Sequence, residues 1–116
     1  TSPKAPGQLP SHYAPRSPLY LVAPGALAVA RPRGRAVALC FDPASRARLE
    51  AEAPTAFAHI RVLSPASNAV EAAAELFEVL HALDSGGFDE IWAERVPDSG
   101  IGRAVNDRLF KASEKD

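Results

Sequence analysis

A small three-layer α/β domain with a mainly parallel sheet of about four strands is the fold this sequence predicts. Three observations predict it. Short apolar runs alternate with stretches of helical periodicity along the chain. Helix-start signals follow two of those runs, Asp42-Pro43 after one and Asn68 with Glu71 after another. The first three runs are nearly unbroken, as in strands covered on both faces.

Residues 1–18 come first and differ from all that follows. They hold five of the eleven prolines and almost no aliphatic side chains. Proline fixes its own φ and pushes the preceding residue to an extended shape, so this segment reads as an extended interdomain linker. Residues 19–116 then form one domain. Strand 1 is 19–23, followed by Pro24-Gly25 and an alanine-rich stretch, 26–31. A turn at 32–35 leads to strand 2 at 36–41. Asp42 can cap, and Pro43 suits the first position of a helix over 44–53 that Pro54 closes. Strand 3 is 57–63.

Asn68 and Glu71 have capping-box spacing at the head of a helix over 68–84. On it Val70, Ala73, Ala74, Phe77 and Leu80 share one face, with Glu71, Glu75 and Glu78 opposite. Gly86-Gly87 ends it, and strand 4 follows at 90–96. Asp98-Ser99-Gly100 opens a last helix, with Ile101, Ala104, Val105, Leu109 and Ala112 on its apolar face. Because each connection carries a helical stretch, neighbouring strands should be parallel with right-handed crossovers, a Rossmann-like topology.

Composition narrows the function. The chain has 116 residues, 47% of them hydrophobic, enough for one packed core. A net charge of −1, from 13 basic and 14 acidic residues, speaks against strong nucleic-acid binding. Basic residues thicken at Arg31, Arg33 and Arg35, and at Arg46 and Arg48, which reads as solvated surface. Cys40, the single cysteine, allows no internal disulfide and lies in an apolar run, where a buried, inert thiol is expected. No apolar run reaches membrane-spanning length, and the proline-rich start is unlike a secretory leader. A cytoplasmic setting follows as the expectation.

Familiar catalytic patterns do not occur. A dinucleotide fingerprint needs glycines directly after strand 1, and 23–28 carries one, Gly25. Gly100-Ile101-Gly102 beside Asp98 reads as a helix-opening turn. His12, His59 and His81 have no metal-ligand spacing, and no metal site is predicted. There is no Gly-x-Ser-x-Gly elbow. Asp84, Asp89 and Glu90, at element ends, read as solvated carboxylates, His81 as a structural histidine, and Arg108 as a snorkelling side chain. No catalytic residue is therefore assigned. The one unexplained cluster is Ser11-His12-Tyr13 in the linker, where a plain spacer needs no imidazole or phenol.

The stretch Pro6-Gly7-Gln8-Leu9-Pro10-Ser11-His12-Tyr13-Ala14-Pro15-Arg16-Ser17-Pro18 resembles the linker of two-domain threonylcarbamoyl-AMP synthases. That linker carries Pro-Gly, a few residues, then His-Tyr-Ala-Pro. The alanine- and leucine-rich helix ending Leu83-Asp84 and the segment Gly100-Ile101-Gly102 through Asn106-Asp107-Arg108-Leu109 are similar to the same family. The resemblance implies a parent enzyme, a nucleotidyltransferase that makes threonylcarbamoyl-adenylate and pyrophosphate from ATP, bicarbonate and L-threonine. The product serves threonylcarbamoyladenosine modification of tRNA. It implies that chemistry, and the binding of ATP with Mg²⁺, belong to an N-terminal YrdC-like catalytic domain, and that this segment alone is inactive and holds no cofactor.

In that picture the linker closes over the catalytic pocket, with Pro6, Gly7, His12, Tyr13 and Pro15 as the substrate-binding positions. The implied partners are the catalytic domain of the same polypeptide and a downstream tRNA-modification transferase. Some relatives place basic residues before the His-Tyr pair; Leu9-Pro10-Ser11 stands here, so no phosphate contact is carried over to those positions. Two rival readings are a free-standing Rossmann-like module that senses a nucleotide or docks a protein, and a small independent enzyme.

Overall fold

A computed structural model describes residues 15–114. Strand β1 (Leu19–Val22) leads through a 3-10 helix (Ala26–Val29) to β2 (Ala36–Cys40), then α1 (Pro43–Glu52) and β3 (His59–Val62). Helix α2 (Ala69–Asp84), β4 (Glu90–Glu94) and α3 (Ile101–Ser113) complete the domain. The strands form one all-parallel sheet in the order β1-β4-β2-β3. The α/β class and the parallel sheet are as the sequence predicts.

Side chains aimed at free backbone N–H groups set the starts of α1 and α2, whereas α3 begins at Gly100 without a side-chain cap. Asp42 Oδ1 accepts from Ser45 N at 2.9 Å, with Pro43 at the first helical position of α1. Asn68 Oδ1 accepts from Val70 N at 2.7 Å and Glu71 N at 3.1 Å, capping α2. The reciprocal half of the capping box does not form. Glu71 turns back to Ser64 Oγ at 2.6 Å and Ala66 N at 3.0 Å, while Asn68 N donates to Ser64 Oγ. The Ser64 donor, followed by that of Ala66, holds the Glu71 carboxyl below its ordinary value.

Alternation along β2 divides the core. Val37 and Leu39 point into a cluster with Ile91, Ala93 and the inner faces of α2 and α3. Ala38 and Cys40 point the other way, against Leu27 of the 3-10 helix and Leu49 of α1. Helices therefore cover both faces, α1 on one and α2 with α3 on the other.

Four sequence expectations need correction. The strands buried on both faces are β2 and β4, whereas β1 and β3 are the sheet's edges. Charged Glu90 and Glu94 at the ends of β4 hide its central position in the sequence. The connection from β1 to β2 holds only a four-residue 3-10 turn in place of a full helix. On α2 the buried stripe is Ala72, Leu76, Val79, Leu80 and Leu83, while Val70 is 63% exposed. Alanines all round this helix let two stripes fit the period, and packing chose the one richer in large side chains. On α3, Gly102, Val105, Asn106, Leu109 and Ala112 face inward, and Ile101 and Ala104 do not.

Gly102 is buried for a reason of distance. A Cβ there would lie 1.9 Å from Pro97 O, so only glycine lets α3 start this close to the chain leaving β4. Asn106 secures the same approach. Its Oδ1 accepts from Val96 N at 2.8 Å and its Nδ2 donates to Val96 O at 3.0 Å, as a neighbouring strand would.

Candidate functional site

In an open α/β sheet, ligands collect beyond the carboxyl ends of two adjacent strands whose following helices go to opposite faces. Strands β2 and β4 are such a pair, since α1 and α3 lie on opposite sides. At their ends stands a cleft of about 240 Å³, lined by Phe41, Asp42, Ser45, Arg48, Glu94 and Arg95 among others.

Glu94 forms its floor, only 4% exposed at the last position of β4. Its Oε1 accepts from Gly25 N at 3.1 Å, and its Oε2 accepts from Phe41 N at 2.8 Å and from Ser45 Oγ. One buried carboxylate thus ties together the exits of β1 and β2 and the first turn of α1. Gly25 sits at φ +83°, a left-handed conformation that glycine adopts freely. Asp42 Oδ2 accepts from Ser67 Oγ at 2.6 Å, joining the cap of α1 to the turn before α2. Beneath the cleft, burial pushes the Cys40 thiol up to about 11; a Ser45 contact opposes this and the Glu94 charge adds to it. Such a thiol is no nucleophile near neutral pH.

The opposite, amino ends of the strands receive the linker. Asp84 Oδ1, at the last residue of α2, accepts from Arg16 N at 2.9 Å and Ser17 N at 3.1 Å. Ser17 Oγ donates to Phe88 O at 2.9 Å, and Ile91 N donates to Pro18 O at 2.9 Å. Pro15 is fully buried. The linker's last residues are therefore rooted on the domain, and Asp84 is a clamp rather than an idle solvated carboxylate.

Glu90 is likewise no solvated end group, at 8% exposure. It accepts from Trp92 Nε1 at 2.8 Å and from Arg33 N and Gly34 N at 2.9 Å each. The Trp92 donor, helped by the two backbone N–H groups and opposed by burial, holds its carboxyl below the ordinary value. Asp89 Oδ2 accepts from Arg35 N at 2.8 Å. The turn that carries Arg31, Arg33 and Arg35 is thus pinned by two carboxylates and is not a bare basic patch.

The family model described as threonylcarbamoyl-AMP synthase, C-terminal domain, matches residues 1–114. The chain belongs to that family. No curated protein matches it. The match to the threonylcarbamoyl-AMP synthase C-terminal domain includes the linker as well as the sheet and its helices.

Of the linker positions singled out in the sequence, Pro6, Gly7, His12 and Tyr13 lie outside the described residues, and Pro15 is the buried residue at the linker's root. Sequence reasoning missed the crevice side chains Glu94, Ser45 and Arg95, and read Arg48 as solvated surface only. The signal for Glu94 was a carboxylate directly after the apolar Ile91-Trp92-Ala93, at the end of a strand, where it reads as solvated until the neighbouring strand ends are known. His59 and His81 are exposed, on β3 and α2. Among the described residues no group of three His, Cys, Asp or Glu side chains converges as metal ligands, and no helix is long and apolar enough to cross a membrane.

Proposed function

We propose that this chain is the accessory C-terminal domain of a threonylcarbamoyl-AMP synthase, and that residues 1–14 are a lid over the catalytic pocket of a YrdC-like domain in the same polypeptide. The observation that carries this reading is the family match across linker and domain together. The rooting of Arg16 and Ser17 on Asp84 supports it, because a lid needs a fixed base from which to reach.

In this reading ATP, Mg²⁺, bicarbonate and L-threonine are held by the catalytic domain. When bound, Mg²⁺-ATP supplies the adenylyl group, and pyrophosphate leaves. The part of this chain is to exclude water and orient. Threonylcarbamate is labile, so covering the pocket while it meets ATP protects the reaction. His12 and Tyr13 offer hydrogen bonds to the covered substrate, and Pro6 and Pro10 stiffen the arm so that less entropy is lost on closing. The adenylate then passes to a tRNA-modification transferase in the cytoplasm.

Pyrophosphate release from ATP, bicarbonate and L-threonine tests this directly. The 116-residue chain alone gives none, and joining it to its catalytic half gives turnover. Deleting residues 1–14 from the joined protein, or replacing both His12 and Tyr13 with alanine, lowers kcat at least tenfold. Full turnover after the deletion overturns the lid.

A further inference from the structure

The crevice beyond β2 and β4 is where a fold of this kind would hold a nucleotide phosphate, yet four of the donors around it are already spent on the chain's own carboxylates. Gly25 N and Phe41 N donate to Glu94, Ser45 N donates to Asp42, and Ser45 Oγ donates to Glu94. Two carboxylates of the chain itself thus occupy the seat of an anion, and a phosphate entering there would meet their repulsion. Size points the same way. The cleft's volume of about 240 Å³ lies below the roughly 300–1,000 Å³ of pockets for drug-sized ligands.

What the walls leave unspent is charge of both signs. Among the described residues the Arg95 side chain makes no hydrogen bond or ion pair. Arg48 has only a loose, exposed contact with Glu52 at 4.0 Å, a kind of pair that contributes little. The Asp42 carboxylate uses one acceptor site on each oxygen, leaving others open toward the cleft. Gly25 shapes one wall, since its missing side chain lets the Arg48 guanidinium lie 3.2 Å from where a Cβ would be.

We propose that this crevice binds a small zwitterion of the α-amino-acid class. Arg48 and Arg95 take its carboxylate by charge-assisted hydrogen bonds, and Asp42 takes its ammonium group. Glu94, sealed by backbone donors, holds the floor rigid and excludes phosphate. This reading is independent of the lid: the crevice lies at the carboxyl ends of the strands and the linker root at their amino ends, so either can fail without the other.

The test is a titration of the 116-residue chain followed by amide chemical shifts, with glycine and L-alanine as probes. Acetate, methylammonium and inorganic phosphate serve as matched single-charge and phosphate controls. The amino acids should give saturable shifts at Gly25, Ser45 and Arg95, with acetate and methylammonium at least tenfold weaker and phosphate silent. Arg95→Ala, and Asp42→Asn, which keeps the helix-capping oxygen, should each weaken the amino acids at least tenfold while the thermal unfolding midpoint stays near that of the parent chain. The proposal is overturned if the shifts do not saturate, if phosphate binds these amides as tightly as glycine, or if both variants fold and bind unchanged.

Discussion

Replacing Asn106 with alanine tests whether one buried amide joins α3 to the sheet. The amide is 5% exposed and serves both polar groups of Val96, itself 2% exposed. Truncation leaves the Val96 N–H and C=O without partners in a buried place, at roughly 1–3 kcal/mol for each group. Water entering the space left by the amide recovers part of that cost, so the net loss is about 2–4 kcal/mol. Against the roughly 5–15 kcal/mol total stability of a domain, the variant still folds. In urea, with a slope of about 1.5 kcal/mol/M, the midpoint should fall by about 1.3–2.7 M. The fluorescence of Trp92, the single tryptophan, reports the transition from within the sheet. Asp107→Ala is the control, since it removes only an exposed pair with Lys111 at 3.2 Å and should move the midpoint little. Equal midpoints for the two variants would refute the strand-like role given to Asn106.

Glu90 makes stability depend on pH in a stated direction. Its folded carboxyl titrates below its ordinary 4.5, so the unfolded chain takes up the proton more readily. The stabilisation is present above the unfolded value and is lost as pH falls through the folded one. Glu90→Gln should therefore flatten the acid limb of a stability–pH curve and change the Trp92 emission, since Trp92 Nε1 donates to that carboxylate. An unaltered acid limb would show that the bond does not persist in solution. Gly102→Ala should destabilise by about 2 kcal/mol in urea unfolding, despite alanine's better helix propensity, because the added methyl meets Pro97 O at 1.9 Å and backbone must shift. A more stable variant would mean that the start of α3 is looser than described.

Local chemistry was legible in the sequence, and spatial order was not. The Asp42-Pro43 and Asn68 caps could be read because each acts within three residues of itself. The strands could be placed because apolar runs are local too. Which strands sit centrally depends on pairings between residues some 50 positions apart, such as Val37 with Ile91, and no nearby residue announces them. The inner face of α2 was misread because Ala72, Ala73 and Ala74 fit either of two stripes. The crevice escaped for the same reason as the strand order. Glu94, Gly25 and Ser45 meet only after β4 is inserted between β1 and β2, and their hydrogen bonds span 49 to 69 residues.

That insertion has a consequence for how the chain comes together during synthesis. Strands β1 and β2 never touch; each is held through β4. Until residues 90–94 are available, the first strand has no neighbour and the second has only β3. A ribosome would have to release most of the polypeptide before the sheet could close, and the late-arriving middle strand would then zip both halves at once. Any product ending before Glu90 would leave β1 wholly unpaired and one edge of β2 open to other chains, so premature termination within this stretch yields an aggregation-prone fragment instead of a smaller stable one.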